Sequence, residues 1–228
     1  MKPAGNPLAG LALRILDALP QTQCTRCGYP DCAAYAQAIA DDQAEINQCP
    51  PGGQEGVARL AAITGAPEQP LNPAFGVESP RSVVFIDEAW CIGCTLCIPA
   101  CPTDAIVGSN KRMHTVIEAF CTGCALCLPV CPVDCIELEN ASGTATGWSA
   151  WSPTLAHTAR QRYTAAGTRR QRDADEHAIR LEKKAQDKLA NLAEHSQHTN
   201  PAVLDKKRMV IEAALERARS KRKAQESG

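Results

Sequence analysis

Apolar residues near the start of the chain recur at helical spacing. Leu8, Leu11, Ile15, Leu16 and Leu19 fall near one face, Arg14 and Asp17 break the run, and Pro20 ends it. This pattern predicts a short amphipathic helix over 7–19. Two more short helices are expected over 33–44 and 54–63. "SVVFIDE" (82–88) is β-branched and predicts a strand, as do the shorter runs "HTVIE" (114–118) and "CIELE" (135–139). "GAPEQPLNPAFGVESPRS" (65–82) is punctuated throughout by proline and glycine and reads as a linker, and "NASGTATG" (140–147) as a second. Beyond about residue 170 the chain turns charged and alanine-rich, with helices expected over about 173–196 and 201–223. Between them Asn200 is placed to cap and Pro201 to occupy the first helical position. In the second helix Leu204, Ile211 and Ala218 recur every seven residues, with Val203, Val210, Ala214 and Leu215 beside them. Such a stripe wants a partner, either the preceding helix or another chain.

Composition changes the picture. The chain has 228 residues, enough for one or two domains, but only three Phe, three Trp and three Tyr, so one large aromatic-rich core is not expected. It has 13 cysteines, all before residue 136, which points to small modules held by something other than apolar burial. The first 21 residues lack the charged, apolar and cleavage-site layout of a leader, and their apolar run is too short to span a bilayer. The expectation is a soluble, cytoplasmic protein in a reducing compartment, where clustered cysteines bind metal more often than they pair. Charge is split: residues 148–228 hold 17 Lys and Arg against 10 Asp and Glu, while the head is acidic. "RARSKRK" (217–223) is the densest basic patch. With no aromatic residue interleaved beyond residue 170, a solvated helical face is the plain reading and nucleic acid is not favoured as a partner. The alternative class, a metal-stabilised adaptor gripping nucleic acid through this tail, requires salt-dependent affinity.

The cysteines also carry an internal repeat. Cys91, Cys94, Cys97, Cys101 and Pro102 fall on Cys121, Cys124, Cys127, Cys131 and Pro132 at a constant offset of 30, and "CIGCTLCIPACPTDAIV" aligns with "CTGCALCLPVCPVDCIE". C-x2-C-x2-C-x3-C-P is the ligand run of bacterial ferredoxins, whose fourth cysteine serves the other cluster. Three thiolates two residues apart on a tight loop reach three corners of one cubane, and the proline closes the loop without an unused donor. One [4Fe–4S] cluster is therefore assigned to Cys91, Cys94, Cys97 and Cys131, and another to Cys121, Cys124, Cys127 and Cys101. A pair of zinc sites would instead favour two ligand pairs separated by a longer loop. Cys135 has Ala105 as its counterpart and reads as a small buried hydrophobe; His114 reads as an ordinary strand histidine, and Trp148 and Trp151 suit either packing at the junction of head and tail or a membrane interface.

The first group, Cys24, Cys27, Cys32 and Cys49, has the spacing C-x2-C-x4-C-x16-C, with Gly28 and Pro30 bending its loop and Pro50 after the last cysteine. Four thiolates without histidine suit either a third [4Fe–4S] cluster or an all-cysteine zinc site.

Taken together, "LPQTQCTRCGYPDCAAYAQAIA", "INQCPPGG" and the repeat from "VVFIDEAWC" to "VDCIEL" resemble the B subunit of the Rnf/Rsx electron transport complex over roughly residues 16–140. The resemblance implies that Cys24, Cys27, Cys32 and Cys49 hold a third [4Fe–4S] cluster, and that the chain relays electrons between redox partners in an assembly coupled to ion translocation. It implies redox proteins and other Rnf/Rsx-like subunits as partners, and a place on the cytoplasmic face of the inner membrane. Family members commonly begin with a membrane helix, which these residues do not show, and the basic tail is not part of the core family. A free cytoplasmic ferredoxin-like carrier is therefore the nearest alternative. No catalytic residue is expected, since electron transfer makes and breaks no substrate bond. The expected fold class is α+β: an N-terminal helix (1–20), an α-rich 4Fe–4S module (21–64), a linker (65–81), a 2[4Fe–4S] ferredoxin domain with two-fold internal repeat (82–140) and a basic helical tail (141–228).

Overall fold

The computed structural model describes residues 10–226, with side chains as far as residue 220. The chain divides into two compact units, one ending at Thr168 and the other beginning at Arg169.

The first unit opens with three helices. α1 (Leu11–Ala18) buries Ala12, Ile15 and Leu16 and is ended by Pro20; the part of the expected helix over 7–9 lies outside the described residues. α2 (Cys32–Ala40) is capped by the Asp31 carboxylate, which accepts the Ala34 N–H at 2.7 Å. α3 (Gly53–Thr64) stops at Gly65, whose φ of 78° is the left-handed turn that glycine adopts without strain. Ile15, Leu19, Tyr35, Ile39, Val57 and Leu60 form their common core. Tyr35 is fully buried, and its hydroxyl donates to Glu45 O at 2.7 Å and accepts from Gln48 N at 3.1 Å, fixing the loop that carries Cys49.

The ferredoxin-like part has two small antiparallel sheets. β1 (Ser82–Ile86) pairs with β4 (Ile136–Asn140), and β2 (Ile106–Val107) with β3 (Thr115–Val116). The 30-residue offset carries β1 onto β3 and β2 onto the start of β4, so the two sheets are copies of one another. β2 was not expected, because two residues are too few to leave an alternation in the sequence. A four-residue helical turn, α4 (Cys97–Ala100), follows the first cysteine loop.

The proline-rich stretch over 65–81 is laid along the N-terminal module rather than hung between modules. Asn72 N–H donates to Asn47 O at 2.9 Å, and the Glu78 carboxylate accepts Gln54 N–H at 2.9 Å and the Thr146 hydroxyl at 2.6 Å.

The region expected as one basic tail has two characters. After α5 (Gly147–Ala150), α6 (Pro153–Ala190) begins 20 residues earlier than the charge pattern indicated. Its first turns carry Ala156, Ala159 and Ala166, all buried, at helical spacing that small residues leave nearly silent in hydropathy. In the second unit, α7 (Pro201–Glu226) is capped by Asn200, whose Oδ1 accepts Ala202 N–H at 3.0 Å. Its stripe is partly covered within this unit: Leu215 and Leu192 are buried, Val203, Leu204 and Ile211 half-buried, and Arg219 pairs with Glu182 at 2.7 Å. Arg169–Asp173 and Arg172–Glu176 pair along α6, so much of the basic charge is matched locally. No helix among the described residues is long and apolar enough to cross a membrane.

Candidate metal centres

The two cysteine loops share a backbone as well as a sequence. Gly93 and Gly123 have φ of 67° and 66°, Thr95 and Ala125 66° and 62°, Asp104 and Asp134 50° each. For the non-glycine residues this left-handed conformation costs roughly 1–2 kcal/mol apiece, strain of the kind proteins retain where a loop must turn its N–H groups inward. The glycines are required by contact too. A Cβ on Gly93 would sit 2.5 Å from the Arg112 backbone, and one on Gly123 2.2 Å from Ser82 O. Arg112 and Ser82 are themselves 30 residues apart, so each loop rests on the same point of the opposite half.

The folded chain gathers the twelve predicted ligands into three groups. Cys24, Cys27, Cys32 and Cys49 line one cavity with Thr22 and Tyr35. Cys91, Cys94, Cys97 and Cys131 line a second with His114 and Cys135. Cys101, Cys121, Cys124 and Cys127 line a third with Val84 and Ala105. Cys101 thus sits with the later run and Cys131 with the earlier one. A single zinc ion would draw four sulfurs to one point through bonds of about 2.3 Å, whereas sulfurs arranged around a space fit an extended cluster. None of the 13 cysteines is in a disulfide. Thr22 Oγ1 and His114 Nε2, each on a residue lining one of these cavities, are buried without a protein partner.

Burial raises several of the thiols. It pushes Cys97 and Cys124 up to about 11 and Cys127 up to about 12, and raises Cys27, Cys32 and Cys49. The protons therefore stay until a metal displaces them, coupling cluster binding to folding. Cys131 moves the other way: burial raises it, but the N–H groups of Val133, Cys135 and Asp134 and the Cys135 thiol together bring it below the ordinary value. The matching contact in the other half is Ala105 N–H to Cys101 Sγ at 3.2 Å, and Val84 N–H approaches Cys121 Sγ at 3.4 Å.

Two residues that read as bland in the sequence lie against sulfur. His114 Nδ1 is 3.2 Å from Cys97 Sγ, and Cys135 Sγ is 3.5 Å from Cys131 Sγ. Cys135 is buried, as expected, and His114, read as a strand histidine, is buried just ahead of β3; both are polar where the other repeat has an apolar residue, Val84 or Ala105. That mismatch was the available signal. Because alanine already fills the equivalent place, Cys135→Ala is expected to leave iron content unchanged. A loss of one cluster's worth of iron, measured by colorimetric assay against protein, would make Cys135 a ligand instead.

The cysteine modules are joined by specific contacts. The Thr122 hydroxyl, beside the third cavity, donates to Thr22 O, beside the first, at 2.8 Å. Trp151 Nε1 donates to Pro20 O at 2.6 Å, and Tyr163 OH to Asp31 at 3.0 Å. The Arg162 guanidinium lies 3.4 Å over the Phe120 ring and reaches Thr103 O at 2.8 Å, and Arg160 pairs with Asp17. α5 and the first turns of α6 thus hold both modules. Trp148 and Trp151 are buried there under Arg59 and Arg81.

Comparison with known proteins agrees with these modules. Residues 84–138 match the family model "4Fe-4S dicluster domain", and residues 19–51 the family model "Putative Fe-S cluster". Proteins named as the B subunit of the ion-translocating oxidoreductase complex match at 59% identity over 116 residues in Thiobacillus denitrificans and 58% over 113 in Azoarcus sp., covering 51% and 50% of this chain. In each case the match spans 60% of the relative's length. The relative from Ectopseudomonas mendocina is 52% identical over 155 residues, 68% of this chain and 78% of its own. No solved structure matches. With iron–sulfur domains in this order and a relative matched over most of its length, the chain belongs to the family of B subunits of the ion-translocating oxidoreductase complex.

Proposed function

We propose that the chain carries three [4Fe–4S] clusters and relays electrons between redox partners as a subunit of an ion-translocating oxidoreductase complex. The ligand sets are Cys24, Cys27, Cys32 and Cys49; Cys91, Cys94, Cys97 and Cys131; and Cys121, Cys124, Cys127 and Cys101. The observation that carries the reading is the gathering of these cysteines, four at a time, around three separate cavities. Bound clusters supply one-electron capacity. The chain's own residues set burial, donate N–H groups to the sulfurs and hold the modules at fixed spacing.

The contacts between modules support an order for the relay. The Thr122–Thr22 hydrogen bond favours a place for the N-terminal cluster beside the one held by Cys121, Cys124, Cys127 and Cys101. The interleaved cysteine runs favour a place for that one beside the cluster of Cys91, Cys94, Cys97 and Cys131. Electrons then travel along a line with the Cys121 cluster in the middle. Around the far end Trp90, Ile92, Leu96 and Met113 are exposed large apolar residues, a surface suited to docking a redox protein. The family's name supports other subunits of the complex as partners, and association with a membrane would come through them, since no helix among the described residues is long and apolar enough to cross one; the cytoplasmic face is the side on which we place it.

Anaerobic purification followed by iron analysis and EPR redox titration tests this. About 12 irons per chain and three [4Fe–4S] couples are expected from the ligand count. Zinc in place of iron, without broad visible absorbance, would refute it.

A further inference from the structure

The two halves of the ferredoxin domain are copies in backbone but not in what they offer their sulfurs. Position 84 in the first half corresponds to 114 in the second, and the two residues line different cavities. Val84 lies by Cys121, Cys124, Cys127 and Cys101; His114 lies by Cys91, Cys94, Cys97 and Cys131. His114 is 1% exposed, and its Nδ1 is 3.2 Å from Cys97 Sγ. A cysteine bound to iron has no proton to give, so the pair forms a hydrogen bond only when Nδ1 carries the hydrogen. The fold has made room for this ring: a Cβ on Gly108 would stand 2.1 Å from His114 Cδ2, so any other residue at 108 displaces it.

The other cavity has polar side chains of its own, but they spend their protons elsewhere. Thr103 is 3.8 Å from Cys101 Sγ, and its hydroxyl donates to Phe120 O at 2.7 Å. Thr122, near Cys124, donates to Thr22 O at 2.8 Å. A hydroxyl has one proton and both direct it at a carbonyl, so Thr122, which also faces the Cys124 thiol, has at most a share of it left for sulfur. The backbone donors largely match between halves, as Ala105 N–H to Cys101 and Cys135 N–H to Cys131 illustrate. A side-chain N–H donor to a ligand sulfur is thus found at one cluster of the pair, and at a position where the repeat has been broken from valine.

We propose that His114 is a positioning residue for electron flow. By donating Nδ1–H to Cys97 Sγ it stabilises the reduced state of the cluster held by Cys91, Cys94, Cys97 and Cys131, making that cluster the more easily reduced of the ferredoxin pair. The added electron raises the negative charge on the ligand sulfurs, so a donor to them favours reduction. Electrons entering at the N-terminal module then run downhill to the far end of the relay. This rests on the cluster reading above.

EPR redox titration of the full chain tests it with three variants. His114→Val, which copies the other repeat, is expected to lower one of the three potentials and leave the other two in place. The expected loss is about tenfold in the reduced-to-oxidised ratio at fixed potential, about 59 mV for a one-electron couple. Gly108→Ala, which moves the ring without removing it, should lower the same potential. His114→Gln, which retains an N–H donor, should restore part of it. Should His114→Val fail to load iron, Gly108→Ala and His114→Gln still decide the matter. An unchanged potential, an upward shift, or an equal shift of all three with normal iron content overturns the proposal. Absence of [4Fe–4S] signals from the unmutated chain overturns the cluster reading itself, which separates the two failures.

Discussion

Cys101→Ala is expected to abolish the native EPR signal of the cluster held mainly by the other repeat, and to leave the cluster of its own run in place. Cys101 is 7% exposed, lines the cavity of Cys121, Cys124 and Cys127, and accepts Ala105 N–H there. Its own neighbours in sequence, Cys91, Cys94 and Cys97, line a different cavity with Cys131. Iron should fall from about 12 toward about 8 per chain on the ligand count. Double variants make the assignment decisive. Cys101→Ala combined with Cys121→Ala should lose no more iron than either alone, because both strike one cluster. Combined with Cys91→Ala it should lose two clusters' worth. If each run of four served its own cluster, the two combinations would exchange results. Stability should follow the iron. The apolar core of this domain is small, built from residues such as Val83, Val84, Ile86, Ile106 and Ile136 around the cysteines. Cluster binding therefore supplies much of what a larger core would, and the variant should lose its remaining colour at lower temperature than the parent.

How far the sequence reached depended on whether a feature is local. The repeat is local: thiolates two residues apart and a proline after each fourth cysteine declare a loop, and the constant offset declares two of them. β1 and the three N-terminal helices were legible in existence and type, but the second helix was expected to run on to residue 44 and stops at Ala40, and the caps at Asp31 and Gly65 emerged only in the fold. What escaped reading depends on partners distant in the chain. β2 is two residues long and exists through its pairing with β3. The opening turns of α6 present alanines, whose burial is decided by the surface they meet rather than by their own hydrophobicity. The proline-rich stretch reads as a tether until Glu78 is seen holding Gln54 and Thr146 together. His114 and Cys135 are the instructive cases. Each is unremarkable in its own segment, and each stands out only when set against its counterpart 30 residues earlier.

Trp151→Ala is expected to loosen the N-terminal module from the ferredoxin domain and to slow electron transfer between them. The indole is 5% exposed, lies under the Arg81 guanidinium at 5.3 Å, and donates Nε1–H to Pro20 O at 2.6 Å. Pro20 ends α1 and leads directly into the first cysteine group, so this bond ties the region after β4 to the loop that carries Cys24. Removing a buried tryptophan costs about 3–5 kcal/mol. Trp151→Phe separates packing from polarity: it keeps most of the apolar ring but strands the Pro20 carbonyl, at about 1–3 kcal/mol. Both variants keep every proposed ligand, so iron content should hold near the parental value at low temperature. Thermal loss of visible absorbance should come earlier, in the order Trp151→Ala before Trp151→Phe before parent. Rapid-freeze EPR after mixing with a limiting reductant should show slower electron equilibration between the N-terminal cluster and the pair, since the Thr122–Thr22 contact would no longer be held at 2.8 Å. Parental thermal stability together with parental equilibration in Trp151→Ala would mean that the two modules are held by the Thr122 contact and the arginine contacts of α6 without this residue, and the clasp would have to be redrawn around Arg162 and Tyr163.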